Sequence, residues 1–368
     1  MYLKKLSILN FKNYEEAEFE FSSKLNAFVG DNGAGKTNIL DALYYLSFTK
    51  SYFLHQDGLN VQHDKDFFLI KGTYNKSDEE LELSCGFKKD KKKVFKKNNK
   101  EYKKLSEHIG TIPLVMITPS DYVLISGGSE ERRKFIDGVI SQYNKEYLDN
   151  LLNYNKILLQ RNQTLKQFAK SGFFDKDLLS TYNERLVEFG TPIHEERQKF
   201  IAELIPVFQK YYNHISGGNE TVDMQYISQL NDTSFDDLIS QNLEKDKLIT
   251  HTSVGIHKDD IILSLGDYLI RKLGSQGQQK TYLIALKLAQ FEFMSKQSKF
   301  KPILLFDDIF DKLDSKRVEH ILRLVLDNNF GQIFMTDANQ YRIERILSEL
   351  SEQYSVFNIE NGKINAKI

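Results

Sequence analysis

The chain has 368 residues, of which 40% are hydrophobic and 27% charged. That length accommodates two or three domains of ordinary size, and no apolar run approaches the roughly 20 residues needed to cross a bilayer, which argues against membrane insertion. Lys and Arg total 50 against 51 Asp and Glu, a formal charge of −1, so net charge neither favours nor opposes a polyanionic partner.

The first residues, Met1 to Leu6, run into amphipathic sequence without the apolar core of a secretory signal. The lone Cys85 can form neither an internal disulfide nor a thiolate cluster, so a cytoplasmic protein is expected. From Leu3 to about Gly30, apolar and polar residues alternate (Leu6, Ile8, Phe11; Phe19, Phe21; Leu25, Phe28, Val29), which predicts two or three half-buried strands. Asn38 to Phe48 places Leu40, Leu43, Tyr44 and Leu46 near helical spacing. Phe67 to Tyr74 and Glu80 to Lys88 read as strands, and the lysine-rich stretch after them as a hairpin turning near Asn98-Asn99. From about Glu130 to Tyr212, apolar residues recur at three and four, as in Leu148, Leu151, Leu152, Leu158 and Leu159, predicting a helical insertion. Gly190, Pro192 and Pro206 are expected to kink or break its second half. Gly217-Gly218 and the run from Asn231 to Asp237 read as loops, and strands resume near Ser253 and at Ile261 to Leu265.

The chemistry sits in three segments. Gly30-Asp31-Asn32-Gly33-Ala34-Gly35-Lys36-Thr37, followed by Asn38, fits the P-loop pattern between a strand and a helix. Its glycines let backbone amides close around phosphate oxygens, Lys36 reaches the β and γ phosphates, and the Thr37 hydroxyl ligates Mg²⁺. Ile303-Leu304-Leu305-Phe306-Asp307-Asp308 is an apolar strand ending in two acids. Alone it could be a solvated turn; beside a P-loop, Asp307 is expected to hold Mg²⁺ and Asp308 to act catalytically with Lys36, polarising the attacking water. Gly274-Ser275-Gln276-Gly277-Gln278-Gln279-Lys280 opens a helix with a hydroxyl and free amides, a second surface suited to phosphate. The string Asn75-Lys76-Ser77-Asp78 fits the guanine-reading motif of GTPases by letter only, and is read as a polar turn.

The serine-glycine segment, shortly before the acidic strand, resembles the signature of ABC-type ATPases. That resemblance implies an ATP-sandwich homodimer in which Ser275, Gly277 and Gln278 close the partner's nucleotide. Asp311-Lys312-Leu313-Asp314 resembles the D-loop, with Asp314 its functional acid, and Gln332 to Asp337 the switch strand. Transporter ATPases carry histidine at the switch; here the candidates are Thr336 and Asp337, and no glutamine loop is evident.

Across essentially the whole chain the sequence is similar to the RecF family of SMC-like repair ATPases. The likeness rests on Leu9 to Tyr14, Thr37 to Ala42, Thr118-Pro119-Ser120-Asp121, Gly127 to Asp137, Gly255 to Asp260, the signature, and the Asp307-Asp308 pair. It departs at Lys12, Phe53 and Lys258, where arginine is common, and at Gly274, where leucine usually precedes the serine. Lysine keeps the charge without arginine's bidentate fork. The resemblance implies an α/β ABC-type (SMC-like) P-loop ATPase head assembled from both chain ends, with a mainly helical inserted arm. The expected parts are 1–120 and 251–368 for the head and 121–250 for the arm. It further implies slow ATP hydrolysis, ATP-dependent dimerisation, binding of double-stranded and gapped DNA, and partnership with RecR, with RecO and RecA in the same pathway. Lys88, Lys89, Lys91, Lys92 and Lys93 are either a DNA-contacting surface or a solvated hairpin. Arg132 and Arg133 could bind DNA, sense nucleotide, or pair with acids inside the insertion. Two other classes compete: the cytosolic ATPase subunit of an ABC transporter, and a regulatory head that binds ATP with little turnover.

Overall fold

The computed structural model describes residues 1–309 except 55, 78 and 219, and then 317, 318, 320, 321, 324, 330–341, 343 and 354–367. Packing divides the chain into two units, Met1–Asp121 with Gln290–Ile368, and Tyr122–Ala289.

The amino-terminal segment contributes β1 (Tyr2–Phe11), β2 (Tyr14–Glu20), β3 (Leu25–Val29), α1 (Lys36–Phe48), β4 (Phe67–Lys76), β5 (Glu79–Lys88), β6 (Val94–Lys97), β7 (Lys100–Glu101) and β8 (Leu114–Ile117). Sequence alternation appears as one-sided burial: Phe68, Ile70, Gly72 and Tyr74 of β4 are buried, and the residues between them are not. Ser77, at φ +53°, turns β4 into β5, so the GTPase-like string is a hairpin tip; Asp78 lies outside the described residues. Asn98 and Asn99, at φ +48° and +63°, turn β6 into β7, as expected for a tight hairpin.

The second unit holds α2 (Val123–Ser126), α3 (Ser129–Tyr143), α4 (Lys145–Ser171), α5 (Lys176–Ser216), β9 (Val222–Ile227), α6 (Phe235–Gln241), α7 (Leu243–Ile249), β10 (Asp260–Leu265), β11 (Tyr268–Leu269), α8 (Ile270–Leu273) and the start of α9 (Gln276–Gln297). The helical insertion is therefore present, with two corrections. First, α5 runs for 41 residues through Pro192 and Pro206 instead of breaking. An interior proline costs a helix about 3 kcal/mol, and the long buried stripe Leu186, Ile193, Phe200, Ile201, Leu204 and Phe208 offsets that cost. Gly190 serves close approach: a Cβ there would lie 2.4 Å from the Phe235 ring. Second, Ser253 is in no strand, the expected strand β10 pairs with an unforeseen strand, β9, and α6 begins inside the supposed loop, capped by Ser234. Packing also groups the signature segment Gly274 to Lys280 with the unit Tyr122–Ala289.

The carboxy-terminal segment adds β12 (Ile303–Asp307), β13 (Ile333–Asp337), β14 (Tyr354–Glu360) and β15 (Lys363–Lys367). Among the described residues of the first unit, one sheet runs β2-β1-β4-β5-β6-β7 and is antiparallel; the other runs β15-β14-β3-β13-β12-β8. Its five strands from β14 to β8 are parallel, and every residue of β3, β12 and β13 is buried, the pattern of a sheet covered on both faces. Phe19 and Phe21 of the first sheet region meet Phe28, Phe334 and Phe357 of the second, with the Phe21 and Phe334 centroids 4.9 Å apart, edge to face. This aromatic core fixes β3 between β14 and β13, two places from β12, so the P-loop and the acid pair leave the same edge of one sheet. No helix among the described residues is long and apolar enough to cross a membrane.

Candidate nucleotide site

The loop after β3 has the backbone that its glycines allow. Gly30, Gly33 and Gly35 sit at φ +144°, +85° and +113°, a region closed to most side-chain-bearing residues. Asp31, Asn32 and Gly33 are exposed at the rim; Ala34, Gly35 and Lys36 are buried, and Thr37 and Asn38 are half-buried. The Lys36 ammonium folds back over the loop, donating to Gly30 O at 2.6 Å and Asp31 O at 2.9 Å.

Asp307 and Asp308 close the site from the end of β12. The Thr37 hydroxyl donates to Asp307 Oδ1 at 2.8 Å across 270 positions of sequence, and the Thr336 hydroxyl donates to the same oxygen at 2.9 Å. Thr336 also accepts the Asp308 amide at 3.0 Å, which joins β13 to both acids. Asp308 is half-buried at φ +47°, an uncommon conformation that clusters at functional sites. Asp337 is buried and accepts the Asn339 amide at 2.7 Å.

Burial pushes the Asp307 carboxyl above its ordinary value, while the hydroxyls of Thr37 and Thr336 pull it back and Asp308 adds repulsion. Burial lowers Lys36, against the pull of Asp308, Asp307, Asp337 and Asp31. The pocket thus gathers one ammonium, several carboxylates and a glycine-built loop. Its hydroxyl and carboxylate oxygens are the hard donors that Mg²⁺ takes together with phosphate oxygens, so Thr37 and Asp307 fit that ion.

The model of the RecF/RecN/SMC N terminal domain matches residues 2–365. A "DNA replication and repair protein RecF" from Phocaeicola vulgatus is 49% identical over 369 residues, covering 100% of this chain and 99% of that protein. The chain belongs to the RecF family. A RecF from Flavobacterium johnsoniae is 50% identical over 359 residues, covering 98% of this chain and 100% of its own length. Among solved structures, the recombination mediator protein RecF-ATP of the RecFOR pathway superposes with a TM-score of 0.89 at 30% identity, covering 100% of this chain and 97% of that one. An Smc head bound to the C-winged helix domain of ScpA gives a TM-score of 0.60 at 14% identity, covering 100% and 98%, a likeness of fold alone. The fold is therefore the expected ABC-type, SMC-like ATPase head with a helical insertion. Family membership along the whole chain sets aside the transporter-subunit alternative.

The remaining expected residues of this RecF-family chain fall in distinct places. Ser275 is exposed and caps α9: its Oγ accepts the Gln278 amide at 3.2 Å, and the Gln278 Oε1 accepts the Ser275 amide at 2.7 Å, a reciprocal capping box. Gln278 Nε2 also donates to Glu220 at 2.7 Å, and Gly277 is half-buried in the first turn. Asp314 and the rest of the D-loop stretch lie outside the described residues. Lys88 pairs with Asp66, Lys89 donates to Lys65 O, and Lys91 and Lys92 are exposed. Lys93 is the correction. Its side chain is only 12% exposed and donates to Asp57, Tyr45 and Thr49 O, so its ammonium is engaged within the fold rather than held out to solvent.

Arg132 and Arg133 act inside the insertion. Arg132 forks onto Asp260 at 2.6 and 3.0 Å, and Arg133 donates to Asp259 O at 2.6 Å. Arg197, fully buried, holds the same Gly255 to Asp260 stretch through Ile256 O and Asp259, each at 2.8 Å. Burial drops the adjoining His257 to about 4, so it is neutral near pH 7. Two departures from the family pattern meet: the Lys12 ammonium lies 5.3 Å from the Phe53 ring centroid and 2.6 Å from Asp41. Sequence reasoning passed over Asn13 and Gly362, which bond the P-loop from outside; only the Asn361-Gly362 turn signal pointed there.

Proposed function

We propose that this RecF-family chain binds ATP with Mg²⁺ at the P-loop, hydrolyses it slowly, and uses the bound nucleotide to hold two copies together on DNA. The observation that carries this reading is the junction of Thr37 and Asp307, 2.8 Å apart, with Lys36 beside them at the carboxyl edge of a parallel sheet. Loop amides and Lys36 bind the phosphates, Thr37 and Asp307 hold Mg²⁺, which supplies charge neutralisation when bound, and Asp308 orients and polarises the attacking water. Thr336 ties both acids to β13 and so positions Asp308. In this reading Ser275, exposed at the start of α9, contacts the nucleotide of a second copy, with Gly277 and Gln278 in the same turn.

On DNA, lysine side chains contact phosphates without reading bases. Lys91 and Lys92 are the exposed candidates of the hairpin, with Lys88 and Lys89 beside them. The preferred DNA is duplex next to a gap, and the role is recombinational repair in the cytoplasm, with RecR and RecO as pathway partners and RecA as the protein loaded on single strands. Full-length RecF relatives and the RecF-ATP structure support this assignment. Sedimentation with and without ATP tests the dimer: wild type associates only with ATP, and Ser275→Arg stays monomeric while still binding nucleotide. An unaffected Ser275→Arg dimer refutes the trans role.

A further inference from the structure

Two turns distant in sequence grip the P-loop from its outer side. Ala34 O accepts the Gly362 amide at 2.9 Å and Asn13 Nδ2 at 3.1 Å. Asn13 lies between β1 and β2, and its Oδ1 accepts from Asn38 Nδ2 at 2.7 Å, reaching the first turn of α1. Gly362 belongs to the turn between β14 and β15, where Asn361 and Gly362 stand at φ +49° and +73°, the Asn-Gly pairing of a tight hairpin. The contact leaves no spare room. A Cβ on Gly362 would lie 2.5 Å from Asn13 O, and a Cβ on Gly30 would lie 2.2 Å from Ile359 O. The last hairpin therefore touches the loop at its start and its middle, Ile359 against Gly30 and Gly362 against Ala34. Tyr14 completes the support by donating to Gly35 O at 3.2 Å.

We infer that Asn13 and the Asn361-Gly362 turn form a clamp that holds the P-loop in its phosphate-binding shape before nucleotide arrives. Both are positioning residues, and the inference rests on reading the loop as the nucleotide site. The physical need is clear from the loop's composition. Three glycines at positive φ lose more backbone freedom on ordering than other residues would. A loop ordered by the rest of the fold does not charge that loss to binding, which is how preorganisation raises affinity. Because Ala34 O is already engaged by two donors, the loop cannot easily flip that peptide and turn a carbonyl toward an anion.

The test uses the full chain with Asn13→Ala and Gly362→Ala. Asn13 is exposed, so losing its amide leaves the core untouched, and this variant remains informative if Gly362→Ala fails to fold. The first readout is hydrogen exchange of residues 30–37 in nucleotide-free protein; the second is ATP affinity, with KM and kcat separated. The clamp requires loop exchange about tenfold faster. It also requires ATP affinity weakened about fivefold to tenfold, the factor that roughly 1–1.4 kcal/mol of preorganisation carries, with kcat at saturation within about twofold. Unchanged loop exchange in Asn13→Ala overturns the clamp. So does faster exchange spread equally over β3 and β13, which would mean general destabilisation. A wild type that binds no ATP sinks the nucleotide reading instead, and the exchange measurement still decides the clamp.

Discussion

Replacing Thr336 with valine removes one hydroxyl and almost no volume from a residue that is 1% exposed. That hydroxyl donates to Asp307 at 2.9 Å and accepts the Asp308 amide at 3.0 Å. A hydrogen bond to a carboxylate contributes about 1.5–3 kcal/mol, and a stranded amide costs about 1–3 kcal/mol. The added methyl returns roughly 1 kcal/mol through apolar burial, so the expected net loss is about 3 kcal/mol. Urea-dependent hydrogen exchange in β12 and β13 reads this locally and avoids assuming that both units unfold together. The loss should also depend on pH. Burial already raises the Asp307 carboxyl, and Thr336 is one of two hydroxyls that pull it down; without it the carboxyl rises further. A raised folded value means that the charged form is disfavoured by folding, a cost that is absent below the unfolded value and grows as pH rises through the folded one. The difference between variant and wild type is therefore largest at neutral pH and narrows on acidification. A loss under about 0.5 kcal/mol, the range of an ordinary surface change, or one that widens as pH falls, refutes the coupling of β13 to the acid pair.

Four further outcomes are expected. Asp308→Asn lowers hydrolysis by about 10²-fold or more while retaining ATP binding in a nucleotide titration; unchanged turnover removes Asp308 from its catalytic role. Asp307→Asn stabilises the nucleotide-free protein at pH 7, since it relieves a buried charge, and the gain fades as pH drops toward the ordinary carboxylate range; a thermal melt showing destabilisation at pH 7 contradicts this. Lys93→Met breaks the pair with Asp57 and costs about 2–4 kcal/mol in chemical unfolding, whereas the double change Lys91→Ala with Lys92→Ala leaves stability within about 0.5 kcal/mol. If the hairpin touches DNA, that double change reduces the slope of log affinity against log salt by about 2; an unchanged slope marks the hairpin as merely solvated.

What could be read from the sequence was what one segment carries by itself. The P-loop needs glycines, lysine and threonine in one short run between strand and helix, and the acid pair follows an unbroken apolar strand, so both are local signals. The capping box of Ser275 and Gln278 is local too, a serine followed three residues later by glutamine. The continuity of α5 was not legible, because Pro192 and Pro206 are local breakers whose effect is overcome by a stripe packed against other elements. Lys93 looked like its neighbours in a charge run; its partner Asp57 lies 36 positions upstream, and only the fold brings them together. The strand β9 had the alternation of Val222, Met224 and Tyr226 in plain view, but it is short and flanked by loop signals. Support of the P-loop by Asn13 and Gly362 is the extreme case: Gly362 meets Ala34 only because β14 pairs with β3 near the far end of the chain.

The central claim, that nucleotide at the P-loop controls attachment to DNA, is met most directly by measuring binding to gapped, linear duplex and single-stranded DNA. Each substrate is titrated with ATP, with ADP, and with Lys36→Met in ATP. Tight binding to gapped duplex in ATP alone, lost in ADP and in Lys36→Met, is the expected result. Binding of equal strength under all three conditions would contradict it.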